Sequence, residues 1–371
     1  MSEGTDILAK FQEWLEKLSA SDASDLHIKV GSPPMLRQRG SLDRLPYPAL
    51  LPQETAEIAA AIIPADRRGR LDDHGEVDFA HSVPGVGRFR VNAFHQRSST
   101  SLVLRKLRFG GPSFEELTLP DSVRRLSEEP RGLVLVAGPT GSGKTTTLAA
   151  MVEHINQTSA VHVVTIEDPI EVLFEDKTAA INQREVGLDT ESFLSALRVA
   201  LRQDPDVILV GEMRDPETVR TALQAAETGH LVMSTLHTLD ATETVNRVVD
   251  FFPPHQQRQV RLTLAGSLRG IICQRLIPST NNLRVPALEV LVNTGRIAER
   301  IIDPAITAEI RDVIAEGGYY GMSTFEQSLL QLVKDGLVDL DEAMASTSHP
   351  HDFRLMLEQA GLTEVGAIKT L

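Results

Sequence analysis

The segment Gly138-Pro-Thr-Gly-Ser-Gly-Lys-Thr145 narrows the choice of fold more than any other part of the sequence. It matches the pattern Gly-x-x-x-x-Gly-Lys-Ser/Thr, in which glycines let the backbone turn tightly and point its N–H groups at one spot. The apolar stretch Leu133–Ala137 precedes the segment, and the helix-compatible stretch Thr146–Asn156 follows it. A strand, a glycine-rich turn and a helix N-terminus in this order bind phosphate, because the helix adds positive potential at that spot. The sequence therefore predicts a phosphate-binding loop inside an α/β domain.

The predicted loop suits a nucleoside triphosphate together with a magnesium ion. Lys144 is expected to reach the β- and γ-phosphates, and Thr145 is expected to ligate Mg²⁺. We therefore predict ATP and Mg²⁺ as cofactors. The expected nucleotide contacts are Gly138, Pro139, Thr140, Gly141, Ser142, Gly143, Lys144, Thr145 and Thr146.

Two other apolar stretches end in acidic residues. Asp206-Val-Ile-Leu-Val-Gly-Glu212 has four apolar residues before a glycine and a carboxylate, and Val161–Ile166 is followed by Glu167. A carboxylate at the carboxyl end of a buried parallel strand faces the nucleotide crevice. Glu212 is predicted to hold Mg²⁺, directly or through water. The strand end at Glu167 carries a second acid, Asp168, and a carboxylate of this pair is predicted to orient the water that attacks the γ-phosphate.

The segment Gly229-His-Leu-Val-Met-Ser-Thr-Leu-His237 places a histidine at each end of a fourth apolar stretch. His237 is expected at the carboxyl end of this strand, near the acidic residues, and His230 at its start, farther away. This spacing does not match a zinc site. From the residues alone, a purely structural role for both histidines stays open.

The order of the apolar stretches indicates the fold class. Gly132–Ala137, Val161–Ile166, Val207–Val210 and Leu231–Ser234 are continuous apolar runs separated by helix-compatible segments, which predicts a parallel sheet covered on both faces. Residues 1–108 mix short alternating strands with helices, which predicts a small α+β domain. The breaker cluster Phe109-Gly-Gly-Pro-Ser predicts a linker at residues 109–114. Residues 115–371 are then predicted to form the nucleotide-binding domain, with a helical C-terminal region.

Composition limits the expected partners and compartment. The net charge is −14, and an acidic chain repels phosphate backbones, so no nucleic-acid partner is expected. The single cysteine, Cys273, excludes an internal disulfide and a four-cysteine zinc site, and it is expected to be buried as an apolar residue. The sequence shows no signal-peptide or membrane-spanning pattern. We therefore expect a cytoplasmic protein, in which any membrane association comes through a partner.

Together these motifs resemble the secretion ATPase superfamily. Val164–Glu171 resembles its Asp box, Leu201–Asp215 its Walker B segment, and Ala226–Thr238 its His box. Further likenesses to PilT-like proteins are found at Ser24–His27, Gly31–Pro34, Gly87–Asn92 and Gly321–Ser328. The short chain and the missing zinc cysteines are similar to the compact branch that retracts type IV pili, the PilT-like and PilU-like ATPases.

The resemblance implies a RecA-like P-loop core preceded by a PAS-like domain, working as a homohexameric ATPase that retracts type IV pili and supports twitching motility. It implies Glu167 as general base, Glu212 in the Mg²⁺ shell, and His230 and His237 as coupling residues. Arginines of the N-terminal domain reach the phosphates in such ATPases, and the candidates in this chain are Arg88, Arg90, Arg97 and Arg105. The implied partners are further copies of the chain, an inner-membrane pilus platform protein and a paralogous retraction ATPase.

Two other functions stay open on the sequence. A pilus-assembly or type II secretion motor would carry the same nucleotide motifs. The retraction ATPases have an Ala-Ile-Arg-Asn-Leu-Ile motif where this chain has Gly295-Arg-Ile-Ala-Glu-Arg-Ile301. A RecA-like nucleic-acid translocase would share the strand pattern and would bind DNA in a salt-sensitive way.

Overall fold

The computed structural model describes residues 4–38, 40–281 and 283–362. These residues form two compact units, and the boundary lies between Arg108 and Phe109. No helix within the described residues is long and apolar enough to cross a lipid bilayer.

The first unit is built on one antiparallel sheet. Its strands are β1 (Asp25–Ile28), β2 (Met35–Gln38), β3 (Ser41–Arg44), β4 (Glu76–Val83), β5 (Gly87–Gln96) and β6 (Ser99–Lys106), and its helices are α1 (Gly4–Ala20), α2 (Pro52–Ile62) and α3 (Arg68–His74). The strands lie in the order β3-β2-β1-β6-β5-β4, and each neighbouring pair is antiparallel. The predicted mixture of strands and helices in a small unit is therefore present.

Helix α1 is fixed at its buried face and at its carboxyl end. Trp14 and Leu18 are almost fully buried in the apolar core of this unit. The Lys106 ammonium donates hydrogen bonds to the backbone carbonyls of Leu18, Ser19 and Ser21 at 3.2, 3.2 and 2.8 Å. Since the last carbonyls of a helix lack partners within the helix, a lysine on β6 satisfies them and joins α1 to the sheet.

The second unit contains a seven-stranded sheet. The strands of this sheet are β8 (Gly132–Ala137), β9 (His162–Glu167), β11 (Ala180–Glu185), β12 (Val207–Val210), β13 (Leu231–Leu236), β14 (Leu268–Pro278) and β15 (Arg284–Val292). The short strands β7 (Arg108–Phe109) and β10 (Val172–Leu173) lie outside it. The sheet order is β11-β9-β12-β13-β8-β14-β15. All pairs are parallel except β14 with β15. The predicted α/β fold with a parallel sheet is confirmed, and the antiparallel edge strand β15 is an addition to it.

Helices pack against this sheet, and further helices come after its last strand in the chain. They are α4 (Asp121–Ser127), α5 (Lys144–Thr158), α6 (Phe193–Ala200), α7 (Pro216–Glu227), α8 (Ala241–Asp250), α9 (Pro254–Ser267), α10 (Gly295–Ile302), α11 (Ile310–Glu316), α12 (Phe325–Lys334), α13 (Leu340–Ser346) and α14 (Pro350–Gln359). Helix α8 begins at a regular cap, because the Asp240 side chain accepts a hydrogen bond from the Glu243 N–H.

Strand β8 lies at the centre of the core. Its residues 133–137 have no exposed surface. Leu133 and Leu135 belong to the apolar cluster on one face of the sheet, and Val134 and Val136 belong to the cluster on the other face. Because alternate side chains of a strand point to opposite faces, a strand buried on both faces needs an unbroken apolar run, as this sequence has.

The segment that follows the boundary between the units lies against helix α5. The Gly111 N–H donates to the buried carboxylate of Glu153 at 3.2 Å. A Cβ atom on Gly111 would lie 2.2 Å from the Ala149 carbonyl oxygen, which is backbone and part of the helix. Only glycine therefore fits between this segment and α5.

We expect Gly111→Ala to lower the free energy of unfolding by about 1–3 kcal/mol, because the added methyl group overpacks against a helix backbone that has no room to yield. Urea unfolding of the full chain measures this change. Gly266→Ala is the matched control, because an added Cβ at this exposed position near the end of α9 would have no atom within 4 Å. That control should leave stability unchanged or raise it by up to about 1 kcal/mol. Equal stability of the two variants would contradict the close contact at Gly111.

Candidate active site

Four neighbouring parallel strands bring the predicted site residues to one edge of the sheet. The phosphate-binding loop follows β8, Glu167 ends β9, Glu212 follows β12, and His237 follows β13. Since β9, β12, β13 and β8 are adjacent and parallel, their carboxyl ends meet at the same edge. A cavity of about 500 Å³ lies there, and Lys144, Glu167, Glu212 and His237 all line it. This is the place where open parallel sheets bind ligands.

The phosphate-binding loop presents Lys144 at the start of helix α5. The Lys144 ammonium donates to the carbonyl oxygens of Gly138 and Pro139 at 2.8 and 3.0 Å. Burial lowers the pKa of this ammonium, and the nearby negative charge of Glu212 opposes that effect. Hydrogen bonds to two neutral carbonyl oxygens of the loop thus position the lysine side chain at the positive N-terminal end of the helix.

Six of the nine predicted nucleotide contacts line the cavity, namely Thr140, Gly141, Gly143, Lys144, Thr145 and Thr146. The remaining three shape the loop instead. Gly138 and Ser142 are buried, and Pro139 is exposed. Gly138 has a φ of +148° and Gly143 a φ of +89°, which are conformations that other residues rarely adopt.

Glu167 is a buried carboxylate at the cavity wall, with 9% of its surface exposed. It accepts hydrogen bonds from the Thr165 hydroxyl at 2.6 Å and from the Gln183 side-chain amide at 3.2 Å. Burial raises the pKa of Glu167, and these two hydrogen bonds act against the increase. A carboxylate with a raised pKa and uncharged donors on one side suits proton transfer in this cavity.

Glu212 has an arginine and a histidine as its partners instead. One of its carboxylate oxygens forms an ion pair with the Arg214 guanidinium, and the other lies 3.6 Å from Nε2 of His237. Arg214 and His237 are mostly exposed, whereas the Glu212 side chain is 15% exposed. Two partners therefore fix the direction of this carboxylate at the end of β12.

The Mg²⁺ expected from the sequence finds a suitable set of oxygen atoms here. Thr145 and Glu212 line the same cavity and supply a hydroxyl and a carboxylate, which are hard ligands. Within the described residues no group of three or more His, Cys, Asp or Glu side chains could hold a metal ion. Mg²⁺ in nucleotide sites keeps several waters and binds substrate phosphates, so two protein ligands are a fitting number.

The other predicted residues lie away from this cavity or in the other unit. His230 precedes β13 at the opposite end from His237, and its Nδ1 lies 3.0 Å from the Ala225 carbonyl oxygen. In the first unit Arg88 and Arg90 lie on β5, and Arg97 has a φ of +49° in the turn after it. Arg105 pairs with the buried carboxylate of Asp25 at 2.8 Å. The roles of these five residues stay predictions.

Sequence reasoning missed the residues that orient the predicted ones. Thr165 and Gln183 hold Glu167, and the Thr235 hydroxyl donates to the Gly211 carbonyl oxygen at 2.7 Å, next to Glu212. Thr165 could have been found, since it lies two residues before Glu167 and so on the same face of β9. Gln183 lies on a neighbouring strand, and only the pairing of β11 with β9 brings it close.

A second, smaller cavity of about 220 Å³ adjoins the first at the phosphate-binding loop. Both cavities share Gly143, Thr146 and Leu276 in their linings. The wall of the second one also includes Arg284 and Pro286, at the start of β15. An extended molecule that is bound at the loop thus has space on both sides of Gly143.

Comparison with known proteins places the chain in a family. Residues 65–318 match the family described as "Type II/IV secretion system protein". The chain is 46% identical to the type IV pilus retraction ATPase PilT of Pseudomonas aeruginosa over 89% of this chain and 96% of that protein. It is 37% identical to the type IV pilus ATPase PilU of the same organism over 98% and 95% of the two chains.

A solved structure of the pilus retraction motor PilT with bound ADP has the same fold. It superposes with a TM-score of 0.84 at 46% identity and covers 94% of this chain and 98% of that chain. With the phosphate-binding loop and two acidic strand ends at one sheet edge, the chain belongs to the type II/IV secretion system protein family and, within it, to the type IV pilus retraction ATPases.

Proposed function

We propose that this chain hydrolyses Mg²⁺-bound ATP and uses the energy to retract type IV pili. The observation that carries the proposal is that Lys144, Thr145, Glu167, Glu212 and His237 line one cavity. The relatives named for pilus retraction span almost the whole chain. Phosphoryl transfer requires positioning and charge stabilisation more than covalent chemistry, and this set of groups supplies both.

Each group at the cavity has a separate task in hydrolysis. The loop N–H groups and Lys144 bind the phosphates. Thr145 and Glu212 would hold Mg²⁺, which supplies positive charge to the phosphate oxygens. Glu167 orients the attacking water and takes its proton, because its buried carboxylate lies on the same cavity wall.

The motor acts as a homohexamer at the cytoplasmic face of the inner membrane, against a pilus platform protein. Nucleotide lies between neighbouring subunits, and the arginines Arg88, Arg90, Arg97 and Arg105 are the candidates for reaching it. His230 and His237 couple hydrolysis to movement. A paralogous retraction ATPase is a further expected partner, and nucleic acid is not.

Residues 109–114 are the proposed linker through which hydrolysis changes the angle between the units. The contact of Gly111 with Glu153 supports a route for this coupling, since Glu153 lies on the helix that begins at Lys144. Lys177 and Gln157 also donate to the Glu153 carboxylate. A shift of α5 on nucleotide binding would therefore displace the linker directly through this hydrogen bond.

Cells whose chromosomal copy carries Lys144→Ala are expected to be crowded with pili and unable to twitch. The substitution removes the phosphate-binding ammonium while leaving most of the fold in place. Counting surface pili by electron microscopy measures the effect, and the wild-type copy expressed in trans is the control. Cells without pili would instead identify an assembly motor and overturn the proposed direction.

Glu167→Gln is expected to lower kcat by about 10²–10⁴-fold while leaving the affinity for ADP within a few-fold, because the amide keeps the shape of the side chain but takes no proton. Steady-state ATPase assays and a fluorescent ADP analogue measure the two quantities. Unchanged kcat would exclude Glu167 as the base.

The pH dependence gives a separate test of Glu167. A base works when ionised, so hydrolysis should fall as the pH drops through the pKa of Glu167. Gln183→Leu removes a hydrogen bond that favours the ionised carboxylate, which raises this pKa and should move the acid limb of the kcat profile upward by about one pH unit. Gln331→Leu, which removes an exposed amide on α12, is the control and should leave the limb in place. A limb that stays in place in both variants would contradict the role of Gln183.

A further inference from the structure

Strand β14 passes directly beside the phosphate-binding loop. It pairs in parallel with β8, and the register places Ile272 opposite Val136 and Cys273 opposite Ala137. Ala137 is the last residue of β8, so the next residue of β14, Gln274, lies where the loop begins. Gln274 is polar but only 3% exposed, and it directly follows the buried apolar residues 271–273 of this strand.

The carboxamide of Gln274 uses both of its ends on the loop. Its Nε2 donates to the Ser142 carbonyl oxygen at 2.7 Å, and its Oε1 accepts a hydrogen bond from the Thr147 hydroxyl at 2.6 Å. Ser142 precedes Lys144 by two residues, and Thr147 follows it by three. One side chain therefore connects the two sides of the segment that contains Lys144 and Thr145.

Two glycines of the loop lie directly against Gln274. A Cβ atom on Gly138 would lie 2.4 Å from the Gln274 carbonyl oxygen, and a Cβ atom on Gly143 would lie 2.7 Å from its Nε2. Both loop glycines thus pack directly on Gln274. Glycines allow the loop backbone many conformations, whereas its contacts with β14 restrict it to one of them.

We propose that Gln274 is a positioning residue that holds the loop in its phosphate-binding shape before nucleotide arrives. It acts through Ser142 and Thr147; it does not line the cavity that contains Lys144, Glu167 and Glu212, and it borders the smaller cavity beside Gly143. A loop with several glycines has many alternative conformations, and only some molecules have the loop in the binding-competent one. The apparent affinity for nucleotide is lowered in proportion to that competent fraction. This inference rests on the proposed ATPase activity and is independent of the direction of the motor.

The geometry requires an amide at this position. A glutamate has no donor for the Ser142 carbonyl, a methionine of similar length has neither a donor nor a good acceptor, and an asparagine is one methylene shorter. Loss of both hydrogen bonds in a buried place also leaves the Ser142 carbonyl without this donor. A less ordered loop weakens the binding of the ground state and of the transition state equally, because the loop binds phosphate in both. Uniform weakening raises KM and leaves kcat unchanged.

The test compares Gln274→Met with wild type in the purified full-length protein. We expect the Kd for ADP and the KM for ATP to rise about ten-fold, with kcat within about two-fold of wild type. Thr147→Val, which removes one of the two hydrogen bonds, should raise both constants about three-fold. The double variant should resemble Gln274→Met alone, because residues that act through one shared contact are not additive.

Thr221→Val is the matched control, since it removes a buried hydroxyl that donates to the Glu217 carbonyl oxygen on helix α7. It should lower the melting temperature without changing the Kd for ADP. The same pattern in Gln274→Met, a lower melting temperature with unchanged Kd and KM, would overturn the proposal, as would a fall in kcat at constant KM. If Gln274→Met does not fold, Thr147→Val decides by the same criteria. The ADP arm still reports on Gln274 if wild type shows no ATP hydrolysis, so the failure of the proposed function is distinguishable.

Discussion

The parallel pairing of β8 with β13 and β14 is the constraint on which the site depends. Because β8 is covered on both faces and flanked on both edges, its carboxyl end has one possible position relative to the neighbouring strands. The loop after β8 therefore lies between His237 from one neighbour and Gln274 from the other. Backbone hydrogen bonds in a buried sheet define this arrangement, and the functional side chains lie at the edge of that sheet.

The two carboxylates of the cavity differ in their surroundings, and this difference suggests different tasks. Glu167 has the Thr165 hydroxyl and the Gln183 amide as donors, and burial raises its pKa. Glu212 has the cationic Arg214 and the imidazole of His237 beside it. A carboxylate oriented by an arginine and a histidine suits the proposed metal shell, whereas one with a raised pKa suits the proposed proton transfer. The separate roles proposed for these two glutamates therefore follow from their different surroundings.

The parts of the fold that the sequence predicted best are those that are buried on both faces. The bounds of β8 and β12 agree with the predicted stretches, and β13 extends two residues beyond the prediction. Strand β11 was missed because it lies at an edge, is partly exposed and carries Asn182, Gln183 and Arg184. The hairpin of β14 and β15 was missed because its long apolar strands lie outside the repeating strand and helix order.

In the candidate site, too, some residues could be predicted from the sequence and others could not. The motifs identified the polar residues Lys144, Glu167, Glu212 and His237 of the cavity wall, because each of them follows an apolar strand in the sequence. The supporting contacts of Gln183 and Gln274 join residues that are 16 and 127–132 positions away from their partners. No local pattern reports such pairs, since the register between strands creates them.

The burial of Cys273 has a practical consequence for the study of movement. Its thiol is fully buried between β8 and β15, and burial raises its pKa well above the ordinary value for cysteine. Thiol-reactive dyes attack the thiolate, so this residue should stay unlabelled in the folded protein. It is also the single cysteine of the chain. A cysteine introduced at an exposed position would therefore carry a fluorophore alone, and distances within a working motor could be followed without first replacing a core residue.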